Sequence, residues 1–335
     1  MPTALVTGAT GLVGSYIIER LLADAWSVRA LVRDASGDGT LSRPGVELQT
    51  GDILDAGRFA AGARGCDAIF HTAAAVTARG GWDEYRRVNI DGTRNAVAVA
   101  ARAGARLLHM SSVAVYGPKT RYAAPQGRTD ESVPLQPLPE GALYARSKRE
   151  AEQIVLAAHS RGELWATAVR PSVIYGRRDR QFVPRVGRLL RRGFGPAIGG
   201  GRSTLAIVHA ANVADGAVRA IAADAAGGKA YNLAKDFDVT LAEFYRLASL
   251  GLGRPVRIVS VPMSVARVAL AVARAIGPVL LGPRMNVVTA SSSLDFLTRD
   301  NPFSSELARR ELGWTPTVTP DSGIPDAFRW WAAHR

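Results

Sequence analysis

Cysteine is almost absent from this chain, since Cys66 is the only one among 335 residues. A single thiol excludes an intrachain disulfide and a cluster of thiolates around a metal ion. Long apolar runs are also missing, and none approaches the length of a membrane span. The N-terminus has no signal-peptide pattern. We therefore expect a cytoplasmic protein without an integral membrane segment and without a metal site.

Acidic residues are outnumbered: 29 Asp and Glu stand against 42 Lys and Arg, which gives a net charge of +13 at pH 7. Such a balance is found in nucleic-acid-binding proteins, but here the arginines are scattered and form no aromatic-interleaved stripe. We expect no nucleic-acid partner, and we assign part of the charge to an anionic small molecule. The length and the 47% hydrophobic content suffice for one large domain or two lobes.

Glycine is plentiful where the chain begins. A short apolar run, residues 4–6, leads into Gly8, Gly11 and Gly14, and a helical pattern of apolar residues follows. A strand, a tight turn and a helix form the first half of a βαβ unit. The N-terminus of such a helix attracts phosphate through its unpaired N–H groups and its dipole. The three glycines permit the turn, the approach of a pyrophosphate and close helix–strand packing. The motif predicts a dinucleotide site.

Strand-like and helix-like segments alternate through the first half of the chain. This alternation predicts an α/β fold, with a Rossmann-type doubly wound parallel sheet and a smaller, mostly helical C-terminal substrate lobe. The strands are predicted at residues 28–34, 46–53, 68–75, 107–112 and 165–171. The dinucleotide-binding domain is predicted to cover 1–176, with 204–234 returning to it. The lobe then comprises 177–203, which we interpret as a mobile basic segment, and 235–335.

The end of the second predicted strand bears on the identity of the dinucleotide. NAD-selective folds place an acidic residue there for the ribose hydroxyls, whereas this chain has Val32 followed by Arg33. A guanidinium suits a 2′-phosphate. The sequence thus favours NADP(H), while Asp34 beside Arg33 keeps NAD(H) open.

Ser112, Tyr144 and Lys148 are the residues that could carry chemistry. A tyrosine with its ordinary pKa of about 10 is a poor base at neutral pH, but an ammonium nearby favours the phenolate. Tyr144 and Lys148 are four residues apart and lie on one face of a predicted helix. Ser112 follows the fifth predicted strand and can donate to the same substrate oxygen. The pattern predicts proton transfer by Tyr144 coupled to hydride transfer.

Taken together, these motifs resemble the extended short-chain dehydrogenase/reductase superfamily, which includes NAD-dependent epimerases and dehydratases. The resemblance covers nearly the whole chain and rests on Gly8, Gly11, Gly14, Gly51, Asp52, Asn89, Ser111, Ser112, Tyr144, Lys148, Arg170, Pro171, Arg309 and residues 311–314. It implies that Asp52 and Ile53 contact the adenine and that Asn89 helps to hold the active-site geometry. It also implies a homodimer, formed through the helices that begin near Asn89 and Tyr144.

The expected sites follow from the glycine motif and the resemblance together. Cofactor contacts are expected from Gly8, Thr10, Gly11, Leu12, Val13, Gly14, Arg33, Asp52, Ile53, Thr72, Ala73, Ala74, Ser111, Tyr144, Lys148, Pro171 and Val173. Catalytic roles are expected for Ser112, Tyr144, Lys148 and Asn89. Substrate contacts are expected from Ala75, Val113, Ser172 and Arg178.

The sequence after the sixth predicted strand distinguishes branches of the superfamily. Nucleotide-sugar epimerases usually carry an Asn where this chain has Val173, and the Arg170–Pro171 pair resembles the 3β-hydroxysteroid dehydrogenase and dihydroflavonol reductase branch. This predicts an NADP(H)-dependent oxidoreductase for a ketone or secondary alcohol of a hydrophobic substrate. A nucleotide-sugar epimerase or dehydratase stays open, because Arg177, Arg178 and Arg202 could bind a diphosphate. An NADP-binding sensor without turnover also stays open.

Overall fold

A computed structural model describes residues 1–34, 41, 43–77, 80–117, 128–266, 268, 271 and 296–334. Its centre is a sheet of seven parallel strands, which are Thr3–Thr7 (β1), Ser27–Val32 (β2), Val46–Thr50 (β3), Ala68–His71 (β4), Arg106–Met110 (β5), Ala166–Pro171 (β6) and Ala230–Leu233 (β10). Their order across the sheet is β10–β6–β5–β4–β1–β2–β3. The predicted Rossmann-type parallel sheet is confirmed.

Helices cover both faces of this sheet, as buried parallel strands require. They are Leu12–Ala23 (α1), Ala56–Ala63 (α2), Gly81–Tyr85 (α3), Gly92–Ala103 (α4), Leu143–Ser160 (α5) and Ala210–Ala222 (α7). One apolar core joins α1 and α7 to the sheet, and a second joins α2, α4 and α5 to its other face. Because both faces of the sheet are covered, its strands appear in the sequence as largely apolar runs rather than as an alternation of apolar and polar residues.

The second half of the chain forms a separate apolar core with its own elements. These are Phe182–Leu190 (α6), Leu241–Leu252 (α8) and Pro320–Ala333 (α10), with the strands Val173–Tyr175 (β7), Phe194–Ile198 (β8), Ile207–His209 (β9) and Arg257–Val261 (β11). Helix Glu306–Leu312 (α9) instead packs through Ala308 and Leu312 into the core that joins α1 and α7 to the main sheet. Strand β7 pairs with β9 and β8 with β11, outside the main sheet. Helices α6, α8 and α10 pack together around Phe244, Phe328 and Trp331.

Residues 177–203, interpreted above as a mobile segment, contain regular elements. This stretch contains α6 and β8, because Val183 and Leu190 are buried in the second-half core. Its arginines lie between these apolar positions, and their density concealed the helical spacing. The sequence also predicts a proline-rich loop over the site at 118–141 and an apolar helix from 263 to 276, and residues 118–127 of the loop and most of the helix lie outside the described residues. None of the helices in the described ranges is long and apolar enough to cross a bilayer.

Candidate active site

The glycine turn leads from β1 into α1 in the way the sequence predicts. Gly8 has a φ of +66°, a conformation that L side chains rarely adopt, and Gly11 N donates to Gly8 O at 2.9 Å. A Cβ on Gly14 would meet the carbonyl carbon of Gly8 at 2.8 Å and its oxygen closer still. Helix α1 therefore packs directly on the turn, and only glycine fits between them.

The first turn of α1 is open to an anion. Gly11 occupies the N-cap position, and within the described chain no side chain caps the helix there. The first N–H groups of a helix have no partner inside it, so the backbone N–H groups of Leu12 and Val13 are available to a phosphate. A pyrophosphate fits this cradle, because neither a Cβ nor a capping side chain fills it.

The exit of β4 packs against the glycine turn. Thr72 Oγ1 donates to Thr7 O at 2.6 Å, and Ala73 N donates to Thr7 Oγ1 at 3.2 Å. A Cβ on Gly8 would lie 2.8 Å from both Ala73 N and Thr72 Oγ1. Thr72 and Ala73 thus form the wall next to the cradle, and their small size leaves its mouth open.

The expected adenine contacts lie beyond β3. Asp52 is partly buried, and its Oδ1 accepts from Leu54 N at 2.9 Å, so one carboxylate oxygen already stabilises its own turn. Ile53 is buried beside α4, where a Cβ on Gly92 would lie 2.5 Å from Ile53 Cδ1. The side chain of Ile53 supports α4 more than it faces an open surface. At the end of β2, Arg33 is exposed.

Asn89 ties the β4 exit to helix α5. It lies in a short π-helix, Arg86–Asp91, immediately before α4. Its Oδ1 accepts from Ala75 N at 2.7 Å, and its Nδ2 donates to Ala75 O at 3.0 Å and to Ser147 Oγ at 2.9 Å. The amide therefore fixes backbone and helix geometry. Because Asn89 binds both the N–H and the C=O of Ala75, Ala75 continues the wall that Thr72 and Ala73 form beside the glycine turn.

Tyr144 and Lys148 lie in the first two turns of α5. Lys148 is 3% exposed, and its Nζ donates to Met110 O at 2.8 Å, at the carboxyl end of β5. Burial lowers the pKa of Lys148 from its ordinary value to about 8, and the charge of Glu152 opposes that shift. Tyr144 is partly buried, with its ring 6.2 Å from the ring of Tyr85.

Ser112 stands two residues beyond the carbonyl that Lys148 binds. Its Oγ accepts from Ala114 N at 3.2 Å and caps a short 3-10 helix, Val113–Tyr116. The neighbouring Ser111 is buried, and among the described residues its Oγ has no hydrogen-bond partner. The structure thus gathers Ser111, Ser112 and Lys148 around the end of β5, as the sequence predicts.

Two buried histidines lie at this edge of the sheet. His71 contacts Thr7 Oγ1 at 3.0 Å and Thr93 Oγ1 at 3.2 Å through its two ring nitrogens. Burial lowers the pKa of His71 to about 3 and that of His109 well below its usual range, and the Lys148 charge lowers both further. Both rings are therefore neutral at physiological pH, and they add no charge to the site.

An ion pair that sequence reasoning missed lies below Lys148. Glu152 Oε1 and Oε2 accept from Arg170 Nη2 and Nε at 2.6 and 2.9 Å. Arg170 Nη1 donates to the Tyr116 hydroxyl at 2.8 Å, which donates to Asn232 Oδ1 at 2.9 Å. The signal was present, because Glu152 is four residues after Lys148 and Arg170 belongs to the Arg–Pro pair.

Three of the expected substrate residues do not join the site. Val113 is 2% exposed and packs in an apolar cluster. Ser172 Oγ donates to Ala234 O at 3.0 Å in the interior. Arg178 forms an ion pair with Glu19 of α1, and its guanidinium lies 5.3 Å from the Tyr16 ring centroid. These three side chains contact other residues of the protein and not an open binding surface.

Two further expected cofactor residues lie near the end of β6, while Thr10 in the glycine turn and Ala74 after β4 are both partly buried. Pro171 is the last residue of β6 and is buried, and Val173 is partly buried against the second-half core. Both are at the carboxyl edge of the sheet, where ligands of doubly wound folds bind. Their side chains offer apolar contact alone.

A doubly wound sheet, a capless glycine cradle and a Tyr–Lys helix at the same edge define a dinucleotide-dependent oxidoreductase. The chain belongs to the NAD dependent epimerase/dehydratase family, whose sequence profile matches residues 4–234. It is an NAD(P)-dependent enzyme of the extended short-chain dehydrogenase/reductase type.

Two relatives cover almost the whole chain. A 4-hydroxy-2-methyl-3-oxo-4-farnesyl-3,4-dihydroquinoline-1-oxide ketoreductase of Stigmatella aurantiaca is 32% identical over 97% of this chain and 95% of its own. A 3 beta-hydroxysteroid dehydrogenase/Delta 5-->4-isomerase of Mycobacterium tuberculosis is 30% identical over 98% and 90%. The crystal structure of gox2253 superimposes with a TM-score of 0.76 at 29% identity, covering 100% of this chain and 99% of that one. All three resemble this chain over its full length.

Proposed function

We propose that this protein reduces a ketone, or oxidises the matching secondary alcohol, on a hydrophobic substrate, with NADP(H) as its preferred dinucleotide. One observation carries the proposal: Tyr144 and Lys148 lie one helical turn apart, and the Lys148 ammonium is fixed on Met110 O at the end of β5. Ser112 follows on the same chain segment. Proton donor, charge and oxyanion donor thus share one edge of the sheet.

In the proposed mechanism Tyr144 exchanges a proton with the substrate oxygen. The Lys148 ammonium favours the phenolate form, so Tyr144 can accept a proton from an alcohol and donate one to a ketone. Ser112 donates to the same oxygen and stabilises its developing charge. The nicotinamide, when bound, supplies or accepts the hydride.

The dinucleotide would be held by the glycine cradle. The backbone N–H groups of Leu12 and Val13 suit the pyrophosphate, and Arg33, exposed directly after β2, suits a 2′-phosphate. The chain has no carboxylate at Val32, where an NAD-selective site would hold the ribose hydroxyls. These features support NADP(H) over NAD(H).

An exposed apolar side chain near Tyr144 agrees with a hydrophobic substrate. Val76, just after the β4 exit, is 45% exposed, and its carbonyl accepts from the Tyr85 hydroxyl at 3.0 Å. Tyr85 in turn packs beside Tyr144. The two full-length relatives are named for a farnesyl-bearing quinoline ketone and for steroids, which agrees with an apolar binding surface.

A cofactor-oxidation screen tests the proposal. The purified protein is incubated with NADPH or NADH and with a steroid ketone, an aryl ketone, a prenylated quinolone ketone or UDP-glucose. We expect ketone-dependent oxidation that is faster with NADPH. Epimerases and dehydratases return the hydride to their own product and leave the dinucleotide unchanged overall, so the UDP-glucose reaction is also run with NAD⁺ or NADP⁺ and its products are followed by chromatography. Conversion of UDP-glucose alone would replace the proposal with the epimerase alternative. NADPH binding without turnover of any compound would favour the sensor.

A further inference from the structure

Helix α5 presents a third functional group on the face that carries Tyr144 and Lys148. Glu152 follows Lys148 by four residues, as Lys148 follows Tyr144, so the three lie in one row along the helix. Glu152 is 2% exposed and Lys148 is 3% exposed. A carboxylate and an ammonium are therefore buried one turn apart, with protein rather than water around them.

The carboxylate of Glu152 is held in place from the sheet side. Both of its oxygens accept from Arg170 on β6, and the Arg170 guanidinium is held in turn by the Tyr116 hydroxyl and lies 4.9 Å from the Tyr116 ring centroid. This bidentate contact fixes the orientation of the carboxylate. A buried pair of this kind adds little net stability by itself, because desolvation offsets its attraction.

The other groups around Lys148 leave Glu152 as the source of negative potential there. His71 on β4 and His109 on β5 are both neutral near pH 7, because burial holds the pKa of each far below its usual range. Arg170 carries positive charge but is turned to Glu152. On α5, Tyr144 lies one turn before Lys148, and the guanidinium of Arg149, which the Glu152 charge also reaches, is directed to Val115 O and Gln136 O. Met110 O contributes a dipole, and no charge, at 2.8 Å.

We propose that Glu152 is a positioning residue for the reaction: held by Arg170, it keeps the buried Lys148 ammonium charged and thereby keeps Tyr144 ready to ionise. This rests on the proposed function, since it assigns Tyr144 and Lys148 their acid–base roles. Glu152 touches neither substrate nor dinucleotide, and it acts through Lys148.

A direct and an indirect effect of Glu152 shift the ionisation of Tyr144 in opposite directions. Removing a negative charge makes a nearby tyrosine ionise more readily through the direct Coulomb effect. If Glu152 acts through Lys148, removal of the Glu152 charge lets the Lys148 ammonium lose its proton before Tyr144 ionises. Tyr144 then has no cationic neighbour and ionises at higher pH. The direct and the indirect effects therefore move phenolate formation in opposite directions, and coupled titration of the pair makes the difference measurable.

The test is a spectroscopic titration of the protein without cofactor or substrate. Phenolate absorbance near 295 nm is recorded against pH, and the Tyr144 signal is isolated by subtracting the same titration of a Tyr144→Phe variant. In Glu152→Gln, which keeps the shape of the side chain, loss of the carboxylate should lower the pKa of Lys148 by about two units, for a Coulomb interaction over one helical turn at an effective dielectric of about 20, and the direct effect on Tyr144 over two turns opposes this with about one unit. We therefore expect the midpoint of Tyr144 ionisation to rise by about one pH unit. Glu152→Asp, which keeps the charge, should stay near the wild-type midpoint.

Two further measurements decide the matter. In a Lys148→Met background the Glu152→Gln change should no longer raise the midpoint. An unchanged or lowered midpoint in Glu152→Gln with Lys148 present would overturn the proposal, as would equal shifts in Glu152→Asp and Glu152→Gln. If Glu152→Gln fails to fold, the double variant Glu152→Met/Arg170→Met, which replaces the buried pair as a whole, is titrated with and without Lys148→Met, and a shift of the Tyr144 midpoint that is the same in both backgrounds would refute the proposal. None of these readouts uses turnover, so their outcome is separate from that of the substrate screen.

Discussion

Tyr144 and Tyr85 offer a matched pair of substitutions at one site. Their rings lie 6.2 Å apart on different helices, and the Tyr85 hydroxyl donates to Val76 O at 3.0 Å. Replacing either by Phe removes one hydroxyl and keeps the ring. The change is therefore nearly the same in volume, and the two variants differ in the chemistry that each hydroxyl performs.

The expected magnitudes separate the two variants clearly. A positioned acid–base group contributes about 10²–10⁴ in rate, so Tyr144→Phe should raise the barrier by about 3–5 kcal/mol. Tyr85→Phe loses a neutral hydrogen bond to Val76 O, which lowers the free energy of unfolding by about 0.5–1.5 kcal/mol. It should leave kcat within about threefold. Both variants should bind NADPH nearly as the wild type does, because each retains the aromatic ring.

Single-turnover NADPH oxidation with the most active ketone of the screen measures the chemical step directly. Fluorescence titration of NADPH and urea unfolding give the two controls. Equal losses of rate in Tyr144→Phe and Tyr85→Phe, with unfolding free energies also equal, would refute the assignment of the proton transfer to Tyr144. A full rate in Tyr144→Phe would end the mechanism.

Three other substitutions, one of them with a matched control, test the cofactor site and the fold. Arg33→Ala should weaken NADPH binding at least about tenfold and NADH binding little; equal losses in fluorescence titrations contradict a 2′-phosphate site. Gly14→Ala drives a Cβ into the Gly8 carbonyl and should cost about 1–3 kcal/mol in urea unfolding, whereas Gly57→Ala, with only an ordinary contact at 3.4 Å, should cost nothing. Thr240→Ala removes the cap of α8 and about 1 kcal/mol; an unchanged midpoint would rule the cap out as a stabilising contact.

The sequence predicted best those features that depend on local geometry. The turn at Gly8 needs a positive φ, and Gly104 ends α4 with a φ of +65°, so glycine marks both positions in the sequence. Thr240 is followed three residues later by Glu243, a spacing that predicts a helix cap, and its hydroxyl accepts from Glu243 N. The Tyr144 and Lys148 pair follows from helical spacing alone. In each case the determining contacts lie within a few residues along the chain.

Features that depend on distant partners were missed. Arg178 adopts a φ of +70° and pairs with Glu19, which is about 160 positions earlier in the chain. Its neighbours gave no indication of this. Ser172 stands between β6 and β7, where the chain leaves the main sheet, and its hydroxyl donates to Ala234 O because β10, which ends one residue before Ala234, pairs with β6. Periodicity cannot supply either fact.

The apolar face of helix α1 is covered by α7, a part of the chain that is synthesised much later. Its buried residues Ile17, Ile18 and Leu21 pack against α7, yet about 190 residues separate Ala23 from Ala210. At a synthesis rate of about 5–20 residues per second, this apolar face waits roughly 10–40 s for its partner. The dinucleotide-binding half therefore cannot finish folding as it leaves the ribosome, and a chaperone that shields α1 during this interval should raise the yield of active protein.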